Sequence, residues 1–240
     1  MFAASVTGAL AGCSSSDTPL TPTTAASATT TAAVPTTGVK PSSTPESERT
    51  LFDAVDRNDP AAVTAALTAG ANIEARGEGE RTPLVEATKN NAVAAASTLI
   101  LAGADVNAKD SMQDSAFLYS GAEGLNEILA LTLSHGADVD SVNRYGGTAL
   151  IPASEHAHVE TVRMLIAAGV PVNHVNDPGW TALLEAVVYG DGSARYVDVI
   201  TQLLDAGADP SIRDASGKTA LDNAESRGQS DVVALLQSRS

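Results

Sequence analysis

One short phrase recurs along this chain at a nearly constant interval. It reads LAGADVNA around Gly103, and four variants of it carry a glycine at the same place. These glycines lie 33, 33, 33 and 38 residues apart, at Gly70, Gly103, Gly136, Gly169 and Gly207. A threonine or serine keeps the same spacing, at Thr82, Ser115, Thr148, Thr181 and Thr219. Independent landmarks with one period predict a stack of similar units, because a unit of this length cannot bury its apolar face alone.

Each unit contains the signals for two helices and a turn. The hydroxyl of the recurring threonine can accept a backbone N–H bond and cap the first helix, which we expect at Thr82, Thr148, Thr181 and Thr219. A small residue such as Ala87 lets neighbouring units approach closely. The second helix carries an apolar stripe, and Gly103 suits the left-handed conformation that ends a helix. Val106, two residues into the turn, is expected to point inward.

Several of these units match a known pattern. Thr82-Pro83-Leu84 with Ala87, and Gly147-Thr148-Ala149-Leu150 with Ala153, resemble the ankyrin repeat, which has a period of 33 and the signature T-P-L-H-x-A. The resemblance covers about residues 45–240. It implies an all-α solenoid of helix-turn-helix units with β-hairpin or turn connections, about six repeats including two caps. The expected units are 44–76, 77–109, 110–142, 143–175, 176–213 and 214–240.

Two units depart from the pattern. The third has Asp114-Ser115-Ala116-Phe117 where the family prefers G-x-T-P-L, and Gly121 falls inside its expected first helix, which predicts locally lower stability. The fifth carries five additional residues within 189–196, predicted to form a loop between its two helices. That loop is either a neutral surface insertion or a partner contact with two exposed tyrosines, Tyr189 and Tyr196.

The N-terminal residues carry a second resemblance. Leu10-Ala11-Gly12-Cys13 resembles the lipobox of bacterial lipoproteins, which implies a signal peptide over residues 1–13 and lipidation of Cys13. No Lys or Arg precedes Lys40, so the positive segment of a signal peptide is missing. The alternatives are a secretory signal with a chance cysteine and a flexible N-terminus.

Residues 14–43 are almost entirely Ser, Thr, Pro and Ala and are predicted to form a disordered tether. We therefore expect an extracytoplasmic protein that is lipid-anchored to a bacterial membrane, or secreted or periplasmic if Cys13 is not lipidated.

Composition narrows the classes of partner. A net charge of −15 argues against nucleic acid and favours a basic protein partner. The chain is 43% hydrophobic but only 3% aromatic, which suits tightly packed small helices better than a deep ligand pocket. We expect no cofactor, no small-molecule substrate and a monomer. No run of roughly 18 apolar residues occurs, so no transmembrane helix is expected.

The sequence offers little catalytic chemistry. Glu155-His156-Ala157-His158 is the only local cluster of metal-ligand residue types, and it lies at a predicted helix–helix turn, where structural histidines are the expected interpretation. No nucleophile-elbow, phosphate-loop, zinc-protease or dinucleotide-binding pattern occurs. We therefore expect neither a metal site nor catalysis.

The ankyrin resemblance implies a concave binding face formed by the hairpin tips and the first helix of each unit. Mapping by the period assigns nine partner-binding residues: Glu78, Arg81, Met112, Tyr119, Arg144, Tyr145, Asp177, Trp180 and Glu185. Three of the eight aromatic residues of the chain fall on this face, and the alternative is that they fill gaps between units. We predict a protein-binding groove centred on Arg144, Tyr145 and Trp180.

These features favour a non-catalytic scaffold, tethered at the bacterial cell envelope, that binds another protein. The alternative is an immunity-type or regulatory inhibitor that blocks an enzyme or toxin with the same groove. A metal-dependent enzyme at His156 and His158 is a more remote alternative.

Overall fold

The computed structural model of the protein describes residues 42–239. The predicted signal peptide, Cys13 and all but the last two residues of the predicted tether lie outside the described residues. Within the described range the chain forms twelve α-helices and one short 3-10 helix, Glu78–Glu80, and contains no β-strand. The predicted all-α fold is therefore confirmed, with turns connecting the units.

The helices alternate between two positions in each unit. The first helices of the six units are α1 (Pro45–Asp56), α3 (Pro83–Lys89), α5 (Ala116–Ala122), α7 (Leu150–Glu155), α9 (Ala182–Val188) and α11 (Ala220–Ser226). The second helices are α2 (Pro60–Thr68), α4 (Val93–Leu101), α6 (Asn126–Ser134), α8 (Val159–Ala167), α10 (Ala194–Asp205) and α12 (Ser230–Ser238). Each first helix packs against the first helix of the next unit, and each second helix does the same. The result is two parallel layers with the apolar core between and within the units.

The first helix of the first unit, α1, begins with a reciprocal cap. Thr44 Oγ1 accepts a hydrogen bond from the Ser47 N–H at 3.1 Å, and Ser47 Oγ accepts one from the Thr44 N–H at 3.0 Å. Pro45 occupies the first helical position, where a missing N–H costs nothing. This reciprocal capping fixes the first turn of α1.

The predicted hydroxyl caps are correct in three units and wrong in one. Thr82, Thr181 and Thr219 each accept a hydrogen bond from the N–H three residues later, at 3.1 to 3.2 Å. Ser115 does the same at 3.2 Å. The Oγ1 of Thr148 is buried and has no hydrogen-bond partner within the described range.

A proline explains the failure at Thr148. In the other units, the carbonyl of the capping residue accepts from the N–H four residues later, as Glu86 donates to Thr82. That position is Pro152 here, which has no N–H to donate. The Thr148 carbonyl accepts instead from the Ile151 N–H at 3.2 Å. Because this N–H would otherwise serve the hydroxyl, the cap is lost and α7 begins only at Leu150.

The recurring glycine phrase forms the joint between units. The five glycines have φ between +85° and +97°, which confirms the left-handed conformation expected at Gly103. Val106 is buried, as predicted. Asn107 donates from Nδ2 to the Gly136 carbonyl at 3.0 Å and accepts from the Asp138 N–H at 2.8 Å. The polar residue of the phrase therefore ties one unit to the next.

The two irregular units have clear packing reasons. A Cβ atom on Gly121 would lie 2.8 Å from the Cβ of Ala149, so this glycine permits the close contact of α5 with α7. The loop predicted in the fifth unit is present, between α9 and α10. Tyr189 is exposed there, but the expectation of a second exposed tyrosine is wrong. Tyr196 lies in α10 with its ring in the core, and its hydroxyl donates to the Glu155 carbonyl at 2.9 Å.

Among the residues that the structure describes, no helix is both long enough and apolar enough to cross a membrane.

Candidate functional site

The hairpin tips between units are held by a recurring Asp or Asn side chain. Asn143 Oδ1 accepts from the N–H groups of Tyr145 and Gly147, at 2.9 and 3.1 Å. Asn176 Oδ1 accepts from the Trp180 N–H at 2.7 Å. Neighbouring tips are also joined to each other, because the Asp177 N–H donates to the Tyr145 carbonyl at 2.9 Å. The backbone that carries both aromatic residues is therefore fixed by internal hydrogen bonds.

These hairpins and the first helices enclose a cleft between the fourth and fifth units, with a volume of about 300 Å³. Its aromatic lining consists of Tyr145, Trp180 and Tyr189, and the Trp180 and Tyr189 ring centroids lie 6.4 Å apart at an angle of 56°. Tyr145 is 53% exposed at the mouth of the cleft. Glu155 at the end of α7 and Glu185 in the middle of α9 supply two carboxylates to the same lining.

Glu185 has an unusual environment for an acid. It is only 7% exposed, and its Oε1 accepts a hydrogen bond from Asn176 Nδ2 at 3.0 Å. Burial raises the pKa of Glu185 to about 7, and the nearby charge of Glu155 acts in the same direction, against the opposing effect of the Asn176 hydrogen bond. Near neutral pH this side chain therefore exists in both protonated and ionised forms.

The structure brings three of the nine predicted residues into one cleft: Tyr145, Trp180 and Glu185. Two more lie at the hairpin tips beside it. Arg144 is exposed and stacks on Tyr145, with its guanidinium carbon 4.6 Å from the ring centroid. Asp177 is exposed and bonded through its backbone to Tyr145. The three residues predicted at the centre of the groove therefore lie next to one another: Arg144 stacks on Tyr145, and Tyr145 and Trp180 line the same cleft.

The other four predicted residues lie in the second and third units and do not line the cleft. Glu78 and Met112 are exposed on hairpin tips. Arg81 pairs with Glu86 at 3.2 Å. Tyr119 lies beneath Lys89, whose Nζ is 4.2 Å from the ring centroid. Of these four residues, Arg81 has its charge paired within the chain.

The mapping missed several residues that shape this face. Glu86 and Pro152 stand at the same repeat position as the assigned residues Tyr119 and Glu185, and Lys89 and Glu155 follow them by three residues. This spacing places side chains on the same helix face. That spacing, applied to Glu86 and Pro152, would have identified both. Tyr189 was considered only as part of a loop. Asp110, Asn143 and Asn176 are spaced 33 residues apart. This recurrence of Asp or Asn with the repeat period is the signal that could have identified Asn176.

The histidine cluster has a packing role. The rings of His156 and His158 lie 5.7 Å apart at the turn between α7 and α8. A Cβ on Gly124 would fall 2.8 Å from His158 Nδ1, so this imidazole packs directly against the preceding unit. Burial and the neighbouring His156 lower the pKa of His158. Over residues 42–239, no group of three or more potential ligands is arranged to hold a metal ion.

Comparison with known proteins agrees with this architecture. A family model described as Ankyrin repeats (3 copies) matches residues 117–214, and one described as Ankyrin repeat matches residues 79–111. A crystal structure of an ankyrin repeat domain from Acinetobacter baumannii AYE is 52% identical, with a TM-score of 0.77 over 79% of this chain and 96% of that one. That of EF0377, an ankyrin repeat protein, is 39% identical, with a TM-score of 0.76 over 79% and 97%.

The chain belongs to the ankyrin repeat family. Ankyrin repeat domains are generally protein–protein interaction modules and are typically non-catalytic.

Proposed function

We propose that this protein is a non-catalytic scaffold that binds another protein through the hairpin face, the surface formed by the hairpin tips and the first helices. The observation that carries the proposal is the aromatic cleft at Tyr145 and Trp180. Tyr and Trp residues dominate the binding energy of many interfaces, and here Tyr145 is exposed while Trp180 is half-buried against the core. Hairpin tips that are already fixed by hydrogen bonds lose little further conformational freedom on binding.

The partner that best suits this face is basic. The chain has 29 acidic and 14 basic residues and a net charge of −15. Opposite charge on a partner accelerates association at low salt. The association rate with the partner is therefore expected to fall as ionic strength rises.

The scaffold is proposed to be held at the bacterial cell envelope by a lipid on Cys13. The basis for this part is the lipobox-like sequence before the cysteine. Metabolic labelling with an alkyne fatty acid should label the wild-type chain and not the Cys13→Ser variant. Equal labelling of both chains would dismiss Cys13 as the modified residue, and membrane fractionation of the same two strains reports the anchoring separately.

The binding face is tested by capturing the partner with the intact chain and then measuring its affinity for variants. Trp180→Ala should weaken binding by about 2 kcal/mol or more, because truncation of a central aromatic anchor costs this much. Tyr145→Ala tests the same cleft at an exposed position, where folding is not at risk. Leu101→Ala is the matched control, since Leu101 is 72% exposed in the layer of second helices.

Unchanged affinity for both cleft variants, with intact folds, would remove the cleft from the binding face. If the captured protein is an enzyme or toxin that binding inactivates, the inhibitor becomes the better description of this scaffold.

A further inference from the structure

The cleft holds two carboxylates for which the chain supplies no cation. None of the residues that line it is a lysine or arginine. Neither Glu155 nor Glu185 makes an ion pair within 4.0 Å among the described residues, although six other acid–base contacts do occur there. Glu185 is buried and Glu155 half-buried, and burial of a carboxylate without a counter-charge is costly to its ionised form, so a bound cation would supply the charge that this pair lacks.

On the same face of the second and third units, acidic side chains are neutralised by basic side chains of the chain itself. Glu86 pairs with Arg81 at 3.2 Å. Lys89 Nζ lies 2.8 Å from Asp114 Oδ2 and 4.2 Å from the centroid of the Tyr119 ring. This lysine is a cation held between a carboxylate and an aromatic ring. In the second and third units, the acids on this face are therefore paired with basic side chains of the same chain.

The repeat register shows what has changed in the fourth and fifth units. Trp180 occupies the position that Arg81 holds in the second unit, and Glu185 occupies that of Glu86. Glu155 likewise stands at the register position of Lys89. In the two units that form the cleft, the register positions of Arg81 and Lys89 therefore carry an aromatic residue, Trp180 of the fifth unit, and a second acid, Glu155 of the fourth. The result is the acidic and aromatic lining of the cleft.

The size of the cleft limits what can enter it. A volume of about 300 Å³ lies at the lower end of ligand pockets, which span roughly 300–1,000 Å³. The aromatic rings can contact the methylene groups or the charged group of a basic side chain, and cations are attracted to the faces of such rings. The carboxylates complement its charge.

We propose that the cleft between the fourth and fifth units binds a single lysine or arginine side chain, with Glu155 and Glu185 facing the cation and Tyr145, Trp180 and Tyr189 enclosing it. The inference rests on the proposed function, since the side chain belongs to the protein bound on the hairpin face. It adds a defined occupant for the centre of that interface.

The occupant is tested with model compounds on the full chain. The probes are N-acetyl-arginine N-methylamide and N-acetyl-lysine N-methylamide, and the citrulline counterpart is the neutral control of the same shape as arginine. Trp180 is the only tryptophan of the chain, so its fluorescence reports on the cleft directly, and backbone amide shifts localise the binding. At least one cationic probe should saturate the Trp180 signal at millimolar concentration and shift the amides of residues 145–155 and 176–189.

Two matched variants decide the role of the acid. Glu185→Gln keeps the size of the side chain and its ability to accept from Asn176, and it should weaken the cationic probe about tenfold, as expected when a desolvated charge partner is removed. Glu86→Gln, at the same register position but already paired with Arg81, should leave probe affinity unchanged. Equal binding of citrulline and arginine, or equal affinity of the Glu185→Gln and wild-type chains, would overturn the proposal.

The two proposals fail in different ways. If the captured partner loses affinity for Tyr145→Ala and Trp180→Ala but binds Glu185→Gln as it binds the wild type, the cation is not the occupant while the hairpin face remains the interface. If the cleft variants keep full partner affinity, the interface itself is wrong, and the cleft has no partner side chain to receive.

Discussion

Glu185 gives the most quantitative prediction, because its environment links stability to pH. The pKa of this carboxyl is raised from 4.5 to about 7 in the folded chain, chiefly by burial. Between these values the folded state holds a proton that the unfolded state releases, so stability falls as pH rises through this window. Below the unfolded-state pKa of 4.5 this carboxyl does not lower the stability of the fold, and above about pH 7 it lowers stability by the full amount.

The magnitude follows from the size of the pKa change. One pKa unit is worth about 1.4 kcal/mol, so the rise corresponds to about 3 kcal/mol, and solvent at the open mouth of the cleft reduces this to about 2 kcal/mol. Glu185→Gln removes the ionisable group and retains the hydrogen bond from Asn176. The variant should therefore be more stable than the wild type at about pH 8, and the difference should be about 1.5 kcal/mol smaller at about pH 5.

Urea unfolding followed by circular dichroism, at a series of pH values, measures this difference directly. Glu127→Gln is the control for the loss of an acidic side chain, because Glu127 is an exposed acid on α6. The reasoning is refuted if the difference between Glu185→Gln and the wild type is constant between about pH 5 and pH 8, or if it grows as the pH falls.

Two further predictions concern the packing and capping of the stack, and urea unfolding measures both. Gly121→Ala should destabilise the chain by about 1–3 kcal/mol, since the new methyl would meet the Cβ of Ala149 at 2.8 Å; a stabilised variant would mean that only helix propensity matters there. Thr181→Val should cost about 1 kcal/mol through the lost cap. Thr148→Val should cost much less, because that hydroxyl has no hydrogen-bond partner among the described residues. Equal costs for the two valine variants would contradict the account of Pro152.

The fold could be predicted because its signals are local. A capping hydroxyl such as Thr82 acts over three residues, and the left-handed glycine at Gly103 ends its own helix. Repetition at a period of 33 then multiplies each weak signal, and stacking follows because no unit can bury its face alone. The solenoid, its turns and the loop of the fifth unit could all be predicted from these short signals and from their spacing along the chain.

The errors arose where one residue controls the hydrogen bond or the burial of another. Thr148 fails as a cap because of a missing N–H four residues later, at Pro152. Tyr196 is buried because α10 packs against α8 and α9, and its hydroxyl reaches the end of α7. The repeat register predicts which positions lie on the same face of the stack. It does not predict how deeply a side chain is buried or which groups it hydrogen-bonds or pairs with.

The candidate site shows where function can be read in a repeat protein. Arg81 and Glu86 are separated by five residues, and Trp180 and Glu185 have the same separation and the same register. In the second unit the pair closes on itself as an ion pair of 3.2 Å. In the fifth unit the acid is retained as Glu185, Trp180 replaces the base, and both residues line a cleft of about 300 Å³. Positions that keep the repeat build the stack, because every unit needs them. At Glu185 the basic partner found in the second unit is replaced by Trp180, so the acid is not needed for an internal ion pair. Such a position is free to recognise a partner protein.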